Sequence, residues 1–246
     1  FVWVPRWLGE AYSRLWVEYG RRPFTLSELR EVLGLADARA RVLVHHLHRR
    51  GLLLIFDGGR PRLYRVLTPG SFILLASGRL RRVELRQEAY IQLLYDCFRA
   101  IDRALELTSL TLYGSVARGE ASKTSDLDLL IISDDLKGSI GERMEQLLRE
   151  MRGETEEELR LLREFGYHTT ISPYPLRRDE AKRLPPLFLD MLEDAIILYD
   201  EEGFFQRLME RLRERLQRMG ARRLRSEKGW YWDLKPDYRP LEAVEI

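Results

Sequence analysis

The segment from residue 108 to residue 133, TSLTLYGSVARGEASKTSDLDLLIIS, constrains the fold more than any other part of the 246-residue chain. Residues 110–113 form an apolar, β-prone run that ends at a glycine, and a short helical stretch follows. After a polar connector, residues 127–132 are almost continuously apolar, as in strands that are buried on both faces. The pattern predicts a strand, a tight glycine turn, a short helix, a connector and a second strand.

Two carboxylates, Asp126 and Asp128, stand at the entrance of the second predicted strand. Residues i and i+2 of a strand point to the same side, with Cα atoms roughly 6.5 Å apart. Two such oxygen ligands favour a hard divalent ion, typically Mg²⁺. Gly114 allows the preceding turn to approach a phosphate, and the helix start behind it presents free N–H groups. The sequence therefore predicts a triphosphate and metal site across one turn.

The motif GSVARGEASKTSDLDLLI resembles the signature of the minimal nucleotidyltransferases of the DNA polymerase β superfamily. The resemblance implies Mg²⁺-dependent transfer of a nucleoside monophosphate from ATP or another NTP to a hydroxyl acceptor, such as a partner protein or toxin. Asp126 and Asp128 would be the catalytic metal ligands, and the other matching residues would bind the nucleotide. These nucleotide-binding residues are Gly114, Ser115, Arg118, Gly119 and Ser125.

The family generally has a third carboxylate on a later strand, and this chain departs from that pattern. The corresponding run is YHTTISP, residues 167–173, and the family position falls on Thr170. A threonine cannot act as an anionic ligand or as a base of suitable pKa. Several interpretations stay open: weakened catalysis, a base supplied by His168 or the substrate, or a domain that only binds nucleotide. An acid from a neighbouring element is a further alternative: Asp190, Glu193 or Asp194.

The first 70 residues carry twelve arginines against six acidic residues, whereas the rest of the chain is net acidic. Three helical patterns, near residues 7–19, 25–34 and 36–50, precede a hairpin across residues 57–59. This arrangement resembles a winged helix-turn-helix, which implies duplex DNA binding by the third helix and the hairpin. A protein-docking or dimerisation module is the alternative. The proposed DNA-binding residues are Arg39, Arg41, His45, Arg49 and Arg60.

Pro69-Gly70 marks the predicted domain boundary. We expect a winged helix over residues 1–69, a helical connector over 70–107 and a nucleotidyltransferase domain over 108–246 that ends in a helix and a strand. An amphipathic helix over 83–107 would pack on the catalytic domain or form a homodimer seam. Further strands are expected at 167–173 and 194–200, and helices at 139–164 and 202–219. Trp230 and Trp232 would lie on one side of the last strand.

Composition places the chain among ordinary globular proteins, with 45% hydrophobic and 33% charged residues. No apolar run reaches the length of a membrane span, and the single cysteine suits a reducing cytoplasm. The absence of asparagine and the excess of arginine suggest a thermophile, although a GC-rich genome would also favour arginine.

The fold class expected from these patterns is an α/β (α+β) nucleotidyltransferase fold with a mixed sheet, preceded by a small winged-helix domain. The expected function is Mg²⁺-dependent nucleotidyl transfer, with a protein as the preferred acceptor. The alternative is a DNA-binding transcriptional regulator whose nucleotidyltransferase domain is degenerate and senses nucleotide.

Overall fold

The structure is a computed structural model that describes residues 4–226, 229–234 and 236. Three sheets and ten α-helices cover the described residues. The helices are α1 (Arg6–Tyr19), α2 (Leu26–Leu33), α3 (Asp37–Arg49), α4 (Pro69–Ala76), α5 (Ala89–Ala104), α6 (Gly114–Ala117), α7 (Ile140–Glu164), α8 (Arg178–Ala181), α9 (Phe188–Met191) and α10 (Phe204–Arg218). The strands are β1 (Phe24–Thr25), β2 (Leu53–Asp57), β3 (Leu63–Val66), β4 (Ser109–Tyr113), β5 (Leu127–Ile132), β6 (Ile171–Leu176), β7 (Ile196–Asp200), β8 (Arg222–Ser226) and β9 (Gly229–Asp233).

The N-terminal unit, residues 4–68, consists of α1 to α3 and a three-stranded antiparallel sheet in the order β1-β3-β2. A capping box opens α2, where the Thr25 side chain accepts a hydrogen bond from the Glu28 backbone and the Glu28 carboxylate accepts one in return. Gly34, with a left-handed φ of 65°, ends this helix. The three helices and the hairpin are therefore present as elements. Assignment of the unit to the winged-helix family stays a prediction.

The second sheet is mixed, as predicted, with the strand order β6-β5-β4-β7. β4 pairs antiparallel with β5 and β7, and β5 pairs parallel with β6. Side chains of β5 alternate between two cores: Leu129 faces the core that contains α5 and α7, and Leu130 faces the core that contains α9 and α10. Both faces of the sheet are covered by helices, which explains the continuous apolar run of β5.

The helix predicted over residues 83–107 is shorter in the structure, because α5 begins only at Ala89. Leu80, Val83 and Leu85 are buried while the residues between them are mostly exposed, which is the burial pattern of an extended chain rather than a helix. The backbone N–H of Val83 donates to the Tyr95 hydroxyl (3.1 Å) and holds this extended segment against α5.

Pro69-Gly70 begins a helix that the sequence reading missed. The Thr68 side chain accepts a hydrogen bond from the Ser71 backbone as an N-cap, and Pro69 takes the first helical position of α4. Proline suits that position because its missing N–H would have no partner there. The Thr-Pro pair was the available signal.

α5 is core rather than a dimer seam. Every residue from Ala89 to Phe98 is buried, including the polar Gln92 and Asp96, and the helix packs mainly on α7. Only Arg103 and Ala104 of this helix are exposed. The connector therefore shares one hydrophobic core with the second sheet, while the boundaries of the three predicted domains stay predictions.

β6 lies at residues 171–176, further along the chain than the predicted 167–173. Pro173 and Pro175 argue against a central strand, but β6 is the edge strand of its sheet, where a missing N–H can face away from the partner strand. The predicted strand at 194–200 is β7, and the predicted helix at 202–219 is α10.

The last strand is β9, which pairs antiparallel with β8. Trp232 packs on the core beneath α10 and donates from Nε1 to the Leu189 carbonyl (3.2 Å). The side chain of Trp230 lies outside the described part of the structure. Within the described residues, no helix is both long and apolar enough to cross a membrane.

Candidate active site

The turn between β4 and α6 places the Gly114 backbone directly against the Asp128 carboxylate. Register pairs Tyr113 of β4 with Asp128 of β5, and Gly114 follows directly with a left-handed φ of 75°. A Cβ at Gly114 would lie 2.1 Å from Asp128 Oδ2, so any larger residue would collide with the carboxylate. The turn therefore lies directly against Asp128, and its approach to a phosphate stays a prediction.

The helix behind the turn, α6, has only four residues. The Arg118 N–H donates to the Gly114 carbonyl (3.1 Å), and the Glu120 N–H donates to the Ser115 carbonyl (2.9 Å). One turn carries little macrodipole, so anion binding here would depend on individual N–H groups and on the half-buried Ser115 hydroxyl.

Two hydroxyls flank the acid pair. The Thr170 hydroxyl donates to Asp126 Oδ1 at 2.6 Å, and Ser172, which pairs with Asp128 in the parallel β5–β6 register, hydrogen-bonds to the Asp128 carboxylate. Thr170, the position where the family pattern has the third acid, thus lies beside Asp126. Sequence reasoning did not single out Ser172, although its two-residue spacing from Thr170 was a usable signal.

The two carboxylates are not neutralised by the protein. Burial raises the pKa of Asp128, and the charge of Asp126 raises it further, while the Ser172 hydrogen bond and Arg118 act in the opposite direction. Among residues 4–226, 229–234 and 236, no lysine or arginine forms an ion pair with either carboxylate; Arg118 instead bonds to Glu120 (2.9 Å). Asp126 is exposed and Asp128 half-buried, so solvent can reach the pair.

This arrangement fits a hard divalent cation such as Mg²⁺. Two unneutralised carboxylates and a hydroxyl-lined strand provide the oxygen ligands that Mg²⁺ prefers, and Mg²⁺ keeps several waters and substrate oxygens. No cluster of three His, Cys, Asp or Glu side chains suited to a metal occurs in the described ranges. Of the alternative acids, Asp194 is engaged by Arg223 (3.3 Å). The cation would therefore depend on two acids and the nucleotide.

The connector from Gly119 to Ser125 joins the Gly114 turn to Asp126. Ser125 holds the connector through its own hydroxyl, which accepts from the Ser122 N–H (2.9 Å) and lies 3.3 Å from the Ser122 hydroxyl. The predicted nucleotide-binding residues Gly114, Ser115, Arg118, Gly119 and Ser125 thus all belong to one continuous turn and connector between β4 and β5.

The proposed DNA-binding residues are all exposed on the N-terminal unit. Arg39, His45 and Arg49 lie on the solvent side of α3, and Val42 between them is 54% exposed. The Arg41 guanidinium donates to Asp37 (2.7 Å), which weakens its availability to a phosphate. Arg60 lies in the loop between β2 and β3.

Comparison with known proteins identifies the family. Residues 95–184, which include the site, match the family model described as "Nucleotidyltransferase domain". A protein of Methanocaldococcus jannaschii, named "Putative protein adenylyltransferase MJ1305", is 30% identical over 129 residues, 51% of this chain and 80% of the relative. The chain belongs to the nucleotidyltransferase family.

Solved structures of a toxin-antitoxin pair are also similar. A mutant of the toxin-antitoxin MntA-HpeT matches with a TM-score of 0.35 and 11% identity, covering 52% of this chain and 92% of that chain. A toxin-antitoxin structure with AMP-PNP matches with a TM-score of 0.34 and 12% identity over the same shares. These values are too low to assign an activity or a partner to this nucleotidyltransferase.

Proposed function

We propose that this nucleotidyltransferase transfers a nucleoside monophosphate, most simply AMP from ATP, to a hydroxyl group of a protein and releases pyrophosphate. The observation that carries the proposal is the acid pair Asp126 and Asp128, which arginines leave unneutralised, directly against the Gly114 turn. The name of the Methanocaldococcus jannaschii relative, a protein adenylyltransferase, supports ATP and a protein acceptor. A toxin partner modified by an antitoxin-like enzyme is one case of such an acceptor.

The residues have separate roles in this proposal. Asp126 and Asp128 would hold Mg²⁺, which when bound supplies positive charge against the triphosphate oxygens. Backbone N–H groups of the turn after Gly114, with the Ser115 hydroxyl, would bind the phosphates, and Arg118 would pair with one of them. Catalysis of this kind is mostly positioning and electrostatic stabilisation.

Thr170 and Ser172 would orient the acid pair and water rather than accept the proton of the attacking hydroxyl, because a hydroxyl side chain is not a base at neutral pH. Asp126, held by Thr170, is the more exposed acid and thus the nearer one to an incoming acceptor. We therefore expect slow transfer in which the acceptor hydroxyl loses its proton to solvent or to Asp126.

The test is incorporation of label from each of the four α-labelled NTPs into proteins of the source organism or into the enzyme itself. Wild type should label a protein in the presence of Mg²⁺, and Asp128→Asn should reduce labelling on the order of 10³-fold, the scale of a lost electrostatic catalyst. Asp102→Asn is the matched control, since Asp102 lies at the far end of α5 and pairs with Arg79. Equal labelling by Asp128→Asn and Asp102→Asn would contradict the proposal.

A second candidate function is a DNA-binding regulator with a nucleotide-sensing domain. It is supported by the exposed face of α3 with Arg39, His45 and Arg49, and by a hydroxyl, Thr170, at the position where a third acid would make a full catalyst. Arginine contacts to phosphates make such binding strongly dependent on salt.

For this candidate, the triple change Arg41→Ala, Arg49→Ala and Arg60→Ala should weaken binding to a duplex and flatten its salt dependence. The matched control removes three arginines from α10: Arg207, Arg211 and Arg218. If the full chain shifts no duplex at low salt, or if both triple variants lose binding equally, the N-terminal unit is a docking module instead.

A further inference from the structure

The connector over residues 119–125 accepts hydrogen bonds from residues at the start of α5. The Gln87 amide Nε2 donates to two backbone carbonyls of the connector, Gly119 (2.9 Å) and Ala121 (3.3 Å). The Tyr90 hydroxyl donates to a third, Ser122 (2.6 Å). Three successive attachments thus position the connector that joins the Gly114 turn to Asp126.

The orientation of the Gln87 amide is set by these contacts. Nε2 faces two carbonyl oxygens, so the NH₂ group must point to the connector, and Oε1 is buried with no hydrogen-bond partner in the part of the chain that the structure describes. An unsatisfied buried carbonyl is costly, whereas the reversed amide would set Oε1 against two carbonyl oxygens and lose both donor contacts. The connector therefore requires a donor at this position.

The next residue, Glu88, faces the N-terminal unit. Its carboxylate accepts from the Ile55 N–H of β2 at 2.6 Å and lies 2.7 Å from His48 Nε2 of α3. A single peptide unit therefore separates contacts to the N-terminal unit from contacts to the connector of the active site.

β2 itself is fixed to the catalytic core. Leu54 and Phe56 are buried in that core, and the Phe56 ring contacts the Phe165 ring (5.0 Å between centroids). At the end of this strand, Asp57 forms an exposed ion pair with Lys123 of the connector (3.7 Å). The N-terminal unit thus reaches the connector at a second point.

We propose that Gln87 and Glu88 are positioning residues that hold the 119–125 connector, and with it the nucleotide site, in register with the N-terminal unit. The inference rests on the proposed function for its effect on nucleotide, but the positioning itself is independent of it. Gln87→Glu places a carboxylate against two carbonyl oxygens with almost no change in shape. Glu88→Ala removes the contact to the N-terminal unit and leaves the Gln87 side chain intact.

The test is amide hydrogen exchange of residues 119–125 in the full chain without nucleotide. Gln87→Glu and Glu88→Ala should each speed exchange in the connector roughly 10-fold, the value of one or two lost hydrogen bonds. Gln87→Met, which only removes the donor, should fall between wild type and Gln87→Glu. Asp102→Asn in α5 is the control and should leave this exchange unchanged.

Nucleotide binding provides the second measurement. The Kd for Mg²⁺-ATP should rise about 10-fold in Gln87→Glu, and KM should rise more than kcat falls, since a displaced connector weakens binding before chemistry. If wild type binds no nucleotide, the proposed function fails while the exchange measurement still decides the positioning role. Connector exchange in Gln87→Glu and Glu88→Ala equal to that of Asp102→Asn would overturn the inference.

Discussion

Two pairs of acidic side chains in this molecule differ in their partners, because arginines neutralise only one pair. At the junction of the N-terminal unit with α5 and α7, Asp96 and Glu158 are both 0% exposed. Arg21 lies 2.7 Å from Asp96 and 3.2 Å from Glu158, and Arg65 lies 2.7 Å from Glu158. At the β5 entrance, Asp126 and Asp128 have hydroxyl partners but no ion pair among the described residues.

The difference separates two uses of the same chemical group. Buried acids that pair with arginines are needed for the stability of the fold, because removing one partner leaves an uncompensated charge in the interior. Acids without protein cations repel each other and keep room for a cation from solvent. The first region should therefore govern stability, and the second should govern nucleotide chemistry.

The largest change in stability is expected from removing an acid at the junction of the N-terminal unit with α5 and α7. Glu158→Ala leaves the buried Arg65 without its partner and should lower the free energy of unfolding by about 3–5 kcal/mol, measured by urea denaturation. The matched control is Glu157→Ala, whose carboxylate also contacts Arg21 (3.0 Å) but is 61% exposed. That control should cost less than about 1 kcal/mol. Equal costs would mean that burial does not distinguish the two acids.

The next prediction adds an acid to the site. Thr170→Asp would place a third carboxylate beside Asp126, as in the family pattern, and should raise transfer on the order of 10²-fold as a positioned base. Ser172→Asp on β6, beside Asp128, is the matched variant. A fall in transfer for Thr170→Asp would show that another group already completes the site.

The smallest change is expected in the free energy of unfolding when both acids of the site are replaced and no Mg²⁺ is present. Asp126→Asn with Asp128→Asn removes a repulsion rather than an attraction, so unfolding without Mg²⁺ should be unchanged or more costly by less than about 1 kcal/mol. The same denaturation measurement as for Glu158→Ala applies. A loss near that of Glu158→Ala would place the acid pair among the structural acids.

The sequence predicted the elements around the candidate site better than the contacts of the N-terminal unit with α5 and α7, for a physical reason. The 108–133 segment is local, so its strand, turn, helix and strand follow from neighbouring residues, and the Gly114 approach to Asp128 follows from one hairpin. The Arg21–Glu158 pair joins residues 137 positions apart, and no local pattern encodes such a contact. Gln87 was unnoticed because a single amide donating to carbonyls has no sequence signature.

Proline residues fit more than one local structure, and the sequence alone does not distinguish between them. Pro69-Gly70, the predicted domain boundary, also forms the first turn of α4, since proline suits both a boundary and the first helical position. The predicted strand at 167–173 ends at Pro173, whereas β6 continues through Pro175. Only the sheet order reveals that this strand lies at an edge, where prolines are tolerated.

Asp126 and Asp128 are the metal and nucleotide ligands of the proposed function. Calorimetric titration of Mg²⁺-ATP into wild type, into Asp126→Asn with Asp128→Asn, and into the control Asp102→Asn tests this assignment. We expect saturable heat for wild type and the control, and none for the double variant at the same concentrations. Undiminished Mg²⁺-ATP affinity in the double variant would contradict it.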